Sequence, residues 1–175
     1  MNQKQPIYGA PNPNAPSELA QFAFLVGNWR CVANILVDQG KWLTFPASWK
    51  GRYILSGYAI ADEYRMHNLT GDDIVLGLNV RTYDPTNRRW NIRWLNALTG
   101  EWTDLSSDEL GGVRFLGNSI SYAFREPVAA HPFTRATYSL IAPDHFTWHG
   151  EQSLDGLSWA NFMVVECYRA PDPSS

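Results

Sequence analysis

From Gly27 to Arg169 the chain alternates apolar and polar residues in short runs, and each run ends in turn residues. A period of two marks strands with one buried face. The pattern predicts strands at 28–37, 41–55, 58–67, 74–83, 89–97, 101–109, 113–116, 119–126, 133–141, 145–153 and 158–169. The connections carry turn chemistry, as at Asp38-Gln39-Gly40, Ser56-Gly57, Asp84-Pro85-Thr86-Asn87, Gly117-Asn118 and Asp155-Gly156. Gly and Asn accept positive φ there, and Pro presets the first turn position. Links this short, with one longer loop at 127–132, join antiparallel neighbours. About ten such strands close naturally into an up-and-down barrel, which removes exposed edges. The expected fold class is therefore all-β, a single antiparallel up-and-down β-barrel. Only Ser17–Leu25 reads as helical, with Ser17 placed to cap it and Leu19 and Phe22 on an apolar face. It is too short to stand alone and is expected to plug one end of the barrel. The organisation that follows is a flexible polar arm at 1–16, one barrel domain at 17–170 and a tail at 171–175.

Composition sharpens this picture. A chain of 175 residues is one domain with enough length to bury a sizeable core. Aromatic residues make up 14% of it, eight of them Trp, against only 18% charged, which favours strands over a helical bundle. The net charge of −3 and the lack of any Lys/Arg run argue against a nucleic-acid partner. No apolar run approaches the roughly 20 residues of a membrane helix. The first residues lack a basic stretch followed by an apolar one, so the expected compartment is the cytoplasm. Two Cys make no disulfide framework, and no Cys/His metal spacing occurs. His145 and His149 share a strand face but sit about 13 Å apart, too far for one metal. Phosphate loops, nucleophile elbows and dinucleotide fingerprints are absent from the sequence, so no metal and no cofactor are expected.

The segment Phe22-Ala23-Phe24-Leu25-Val26-Gly27-Asn28-Trp29 sets a Gly-x-Trp just after the short helix, at the opening of the first strand. Arg81-Thr82-Tyr83-Asp84-Pro85 and Ser153-Leu154-Asp155-Gly156-Leu157-Ser158-Trp159 follow. Together these motifs resemble a family of uncharacterised, mostly bacterial lipocalin-like proteins of the calycin superfamily. The resemblance implies a lipocalin-like barrel whose floor is closed by Trp29, with Arg169 from the last strand lying across it. A guanidinium stacked on an indole would cap the floor and satisfy nearby carbonyls. No activity comes with the resemblance.

Pairing Trp29 with Arg169 places Cys31 opposite Cys167, either as a redox clasp on the seam or as two small buried hydrophobes. A two-residue turn at Asp155-Gly156 pairs Leu154 with Leu157, Trp148 with Met163 and Gln152 with Trp159. In that phase Trp159, Asn161, Met163, Val165 and Cys167 face inward, joined by Phe146, Trp148 and Gln152. His145, Thr147, His149 and Glu151 face outward. At the Asp84 turn, pairing Tyr83 with Arg89 segregates apolar from polar. Ile74, Leu76, Leu78, Val80, Trp90, Ile92 and Trp94 then form one wall, with Asn79 and Arg93 on the other face. On the third strand Tyr58, Ile60, Asp62, Tyr64 and Met66 share the inner face, which puts a carboxylate inside the barrel. Such a group must be hydrogen-bonded or shifted in pKa.

The leading expectation is an enclosed cavity that binds a small, largely apolar or aromatic molecule. Trp94, Trp148, Trp159, Met163, Tyr122 and Phe124 would line it, and Tyr58, Gln152 and Asn161 would add directed polar contacts. A second expectation is a cofactor-independent isomerase, cyclase or lyase acting on such a metabolite. Asp62 and Tyr64 would then be its acid/base pair, replaced by Arg93 or His67 if the faces were inverted. A third is a haem-binding barrel with His149 as ligand. A fourth is a filled interaction module, with Phe162 and Val164 on an outer contact face. The expected assembly is a monomer or a homodimer.

Overall fold

The computed structural model describes residues 7–37, 40–106, 108–125 and 133–172. The Asp38-Gln39 turn, the 127–132 loop and His131 lie outside the described residues. Eleven antiparallel strands make one sheet: β1 Gly27–Val37, β2 Lys41–Ile54, β3 Ala59–His67, β4 Asp73–Asp84, β5 Arg89–Asn96, β6 Glu101–Asp104, β7 Arg114–Leu116, β8 Ser119–Arg125, β9 Phe133–Ser139, β10 His145–Ser153 and β11 Ala160–Arg169. Each strand pairs with its neighbours in sequence except at two places. β1 and β11 pair with each other and form the middle of the sheet. β6 and β7 do not pair, so they are its two edges. The sheet is therefore curled into a half-barrel, where the sequence pointed to a closed one. Both edge strands are short, which limits the unpaired backbone they present.

Ser17–Leu25 is a 3-10 helix with Pro16, not Ser17, at its cap position. Its apolar residues explain the winding. Leu19, Phe22 and Leu25 recur every third position, and with three residues per turn they line one edge, which is fully buried. The helix packs on β2, β3 and β4 and closes one end of the half-barrel. Before it, the chain is tied to the sheet: Tyr53 donates its backbone N–H to Tyr8 O, and Asn12 donates to Gly57 O.

At this closed end Trp29 sits directly opposite Arg169 in the β1–β11 ladder. The Arg169 guanidinium lies 3.8 Å from the centroid of the Trp29 ring. It also donates to the carbonyls of Val26, at 2.6 Å, and Pro143, at 3.0 Å. Gly27 makes this possible, since a Cβ there would collide with the Arg169 guanidinium and the residue holds φ at +123°. Cys31 faces Cys167 one step further in, both as buried free thiols with their Sγ atoms 2.7 Å apart. Burial pushes the Cys167 thiol well above its ordinary pKa.

Two hairpins depart from the expected registers. At the β4–β5 turn the Asp84 carboxylate accepts the backbone N–H groups of Thr86 and Asn87, and Arg88 adopts φ of +52°. Asp84 therefore pairs with Arg89 and Tyr83 with Trp90, one position away from the expected register. A one-residue slip exchanges the faces of a strand. On β4 it is Gly77, Asn79 and Arg81 that are buried inside, not Leu76, Leu78 and Val80. At the end of the chain, Asp155 collects the N–H groups of Leu157 and Ser158, and the strands stop at Ser153 and Ala160. A bulge at Gly150/Glu151 shifts the ladder further, so Met163 pairs with Gly150 and Trp148 with Val165.

Candidate functional site

Beyond the plugged end the half-barrel cups a half-open cavity of about 690 Å3. Its sides are largely apolar and include Val75 on β4, Trp94 on β5, Trp102 on β6, Phe124 on β8, Ala136 on β9, Trp148 on β10, and Phe162 and Met163 on β11. Asn96, Glu101, Thr103 and Arg125 add polar groups along the ends of β5, β6 and β8. At its base lie Trp49, Tyr64, Asn79, Tyr122 and Tyr138. Gly77 gives the wall its shape. A Cβ on it would run into the Trp94 ring and the Leu95 carbonyl, so only glycine lets this indole lie flat against β4. Gly77→Ala is expected to push Trp94 off the sheet at a cost of about 1–3 kcal/mol. Urea denaturation with Trp emission would read both changes, and unaltered stability and emission would contradict this packing.

Beneath the base is a buried polar network. Asp62 Oδ1 accepts from Trp49 Nε1 at 2.8 Å, Asn79 Nδ2 at 2.9 Å and Arg81 Nη2 at 3.2 Å. Arg81 Nε lies 3.0 Å from the other carboxylate oxygen, and both side chains are fully buried. Arg81 Nη2 also donates to the Tyr138 hydroxyl at 2.8 Å, and that hydroxyl is 3.4 Å from the hydroxyl of Tyr122. Phe22 of the 3-10 helix closes the network from below, its ring centroid 5.0 Å from the guanidinium. Burial pushes the Asp62 carboxyl above its ordinary pKa, against the pull of Arg81, Asn79 and Trp49. Burial would lower the pKa of Arg81, but Asp62 and the two phenols outweigh it and keep the guanidinium charged. Burial likewise raises Tyr138 and Tyr64. Among the described residues the buried Tyr64 hydroxyl has no hydrogen-bond partner, and it lies near the Cys31–Cys167 pair.

Of the residues singled out in the sequence, the structure brings Tyr64, Trp94, Tyr122, Phe124, Trp148 and Met163 into the lining of one cavity. Asp62 lies beneath the wall rather than on it. Tyr58 precedes β3 and is half-exposed, away from the cavity, because the Leu55–Gly57 turn ends the inward alternation before it. Gln152, Trp159 and Asn161 are off the wall, displaced by the Gly150 bulge and the longer final turn. Trp159 instead lies under the guanidinium of Arg135, at 4.4 Å. The same shift turns Phe162, expected outside, into the cavity. Arg93 and His67 are on the outer face, where His67 pairs with Asp73 at 3.0 Å. His149 is bonded to Ser139, also off the cavity wall.

Sequence reasoning missed Asn79, Arg81, Tyr138 and Trp49. A signal for the first two was present. An inward Asp62 requires a cationic or amide partner on the next strand, and only the register that buries Asn79 and Arg81 supplies one.

No family model matches the chain, and no curated protein is similar to it in sequence. The chain is similar in structure to Rv2717c from M. tuberculosis, with a TM-score of 0.61 and 9% identity over 90% of this chain and 100% of that one. A protein of unknown function from the DUF3598 family of Nostoc punctiforme matches with a TM-score of 0.49 and 15% identity, over 90% of this chain and 53% of that one. A redesigned β-barrel, mFAP1, bound to DFHBI, matches with a TM-score of 0.40 and 16% identity, over 87% and 100%. The first likeness supports the fold alone, and the other two are too loose to bear on ligand or activity. Among the described residues no helix is long and apolar enough to cross a membrane.

Proposed function

We propose that this half-barrel binds a small, largely apolar or aromatic molecule in its cavity. One observation carries the reading: a space of about 690 Å3 walled by Trp94, Trp148, Phe124, Phe162 and Met163 is left unfilled over a polar base. That volume suits a ligand of drug-like size, and a mostly apolar wall with a few placed polar groups is what such sites share. A scaffold whose only task was to fold would be more stable with this space packed. The indoles and Met163 supply large, adaptable contact area, and Tyr122 and Asn79 supply directed polar contacts.

Binding is favoured over acid/base catalysis by the state of the proposed catalytic pair. Asp62 is held beneath the wall by Arg81, Asn79 and Trp49, and burial raises the Tyr64 pKa, which makes it a poor proton donor. A haem held by His149 gains no support either, since that imidazole is not on the wall.

The test is equilibrium dialysis of the purified protein with 2-isopropylnaphthalene, beside an Ala136→Trp variant. Ala136 is 3% exposed on the cavity wall, so an indole there takes up part of the space. The expected result is saturable binding to the wild type and clearly weaker binding to a variant that circular dichroism shows to be folded. No binding to the wild type, or equal binding to both, would contradict the proposal.

A further inference from the structure

The buried network has a direction, and that direction selects a chemical class of ligand. This inference rests on the binding function proposed above. Arg81 can only donate hydrogen bonds. Its Nη2 gives one to the Tyr138 oxygen at 2.8 Å, so the Tyr138 proton must point elsewhere. Tyr138 is completely buried, and its nearest acceptor is the Tyr122 oxygen at 3.4 Å. If Tyr122 donated to Tyr138 instead, the Tyr138 proton would be left buried with no acceptor among the described residues, a costly arrangement. The favoured order is therefore Arg81 to Tyr138 to Tyr122. The Tyr122 oxygen is then occupied as an acceptor, and its own proton has no acceptor among the described side chains. Tyr122, which Arg81 also contacts, is 3% exposed but forms part of the cavity lining, so its proton is free to turn to whatever the cavity holds. A guanidinium at the start of the chain polarises each bond after it and strengthens the final donor.

We infer that Tyr122 is a specificity-determining residue that donates a hydrogen bond to an acceptor oxygen, a carbonyl or a phenolate, on an aromatic ligand. Tyr138 and Arg81 are positioning residues for that donor. Ligands whose one polar group is an acceptor are selected over hydrocarbons of the same shape, because only they satisfy the Tyr122 proton once the ligand has displaced water from it.

The test compares two probes of closely similar shape, 2-acetylnaphthalene and 2-isopropylnaphthalene, by equilibrium dialysis. Wild type, Tyr122→Phe and Tyr138→Phe would be used, with folding checked by circular dichroism. The preference for the ketone, read as the ratio of the two affinities, is expected to be about fivefold to tenfold greater in the wild type than in Tyr122→Phe, the worth of one net hydrogen bond. Tyr122→Phe is expected to hold the hydrocarbon at least as tightly as the wild type, since no proton is then left without an acceptor. Tyr138→Phe leaves Tyr122 with Arg81 as its remaining partner, and is expected to weaken the preference without abolishing it. The ketone's carbonyl stretch gives an independent readout, shifted to lower frequency when bound to the wild type and not when bound to Tyr122→Phe. A ratio of the two affinities that is the same in the wild type and in Tyr122→Phe would overturn the inference and leave the binding cavity intact. Failure of both probes to bind the wild type would overturn the binding function itself, and this inference with it.

Discussion

Replacing Arg81 with Met is expected to lower the folding free energy by about 3–5 kcal/mol, the cost of leaving a buried charge without its partner. Asp62 is fully buried, and Arg81 is the cation that neutralises it. Trp49 and Asn79 would still donate to it, but two neutral donors do not replace a charge. Tyr138 would also lose its donor. The companion experiment is the double variant Arg81→Met, Asp62→Leu. It removes both charges and is expected to recover part of the loss, though not all, because the Trp49 and Asn79 N–H groups then lack their acceptor. Urea denaturation of the wild type, both single variants and the double variant completes the cycle. Strictly additive losses would mean that the two charges do not interact.

The second large effect is expected at the closed end. Trp29→Ala should cost about 3–5 kcal/mol, as other deletions of large buried aromatics do. Trp29 is 2% exposed, packs edge-on against Phe146 at 4.7 Å and donates its indole N–H to the Leu25 carbonyl. Removing it opens a hole between the 3-10 helix and the sheet and takes away the surface on which Arg169 stacks. Arg169→Met should cost less, because Arg169 is at the surface and water can reach the carbonyls it leaves behind. Thermal or urea unfolding of the two variants ranks them. A larger loss at Arg169 than at Trp29 would mean that the guanidinium rather than the indole holds this end together.

These two sites differ in how far the sequence revealed them. The closed end was legible, because pairing Trp29 with Arg169 fixes every other pair in the β1–β11 ladder and Cys31 duly faces Cys167. Alternation on β3 likewise placed Asp62 inside. The polar network was not legible through segregation of apolar from polar, which favoured burying Leu78 and Val80. That rule assumes an oily interior, and here the interior carries a charge whose partners, Asn79 and Arg81, must be buried with it. The placements of Gln152, Trp159 and Asn161 failed for a different reason. A turn held by side-chain bonds from Asp155 and a bulge at Gly150 change strand parity without any period in the sequence to mark them. The edges at β6 and β7 were hidden too, since short turn-linked strands look alike in a closed barrel and in an open one.

Binding inside the half-barrel is tested most directly by methyl NMR of protein labelled at the methionine ε-carbons. Only three methionines occur in the chain: Met1, Met66 and Met163. Met163 is on the cavity wall, and Met66 is buried off it. On titration with 2-acetylnaphthalene, the expected result is a saturable ring-current shift of the Met163 signal, larger than any change at Met66. Saturable binding that leaves Met163 unshifted would place the ligand elsewhere and contradict a binding cavity in this fold.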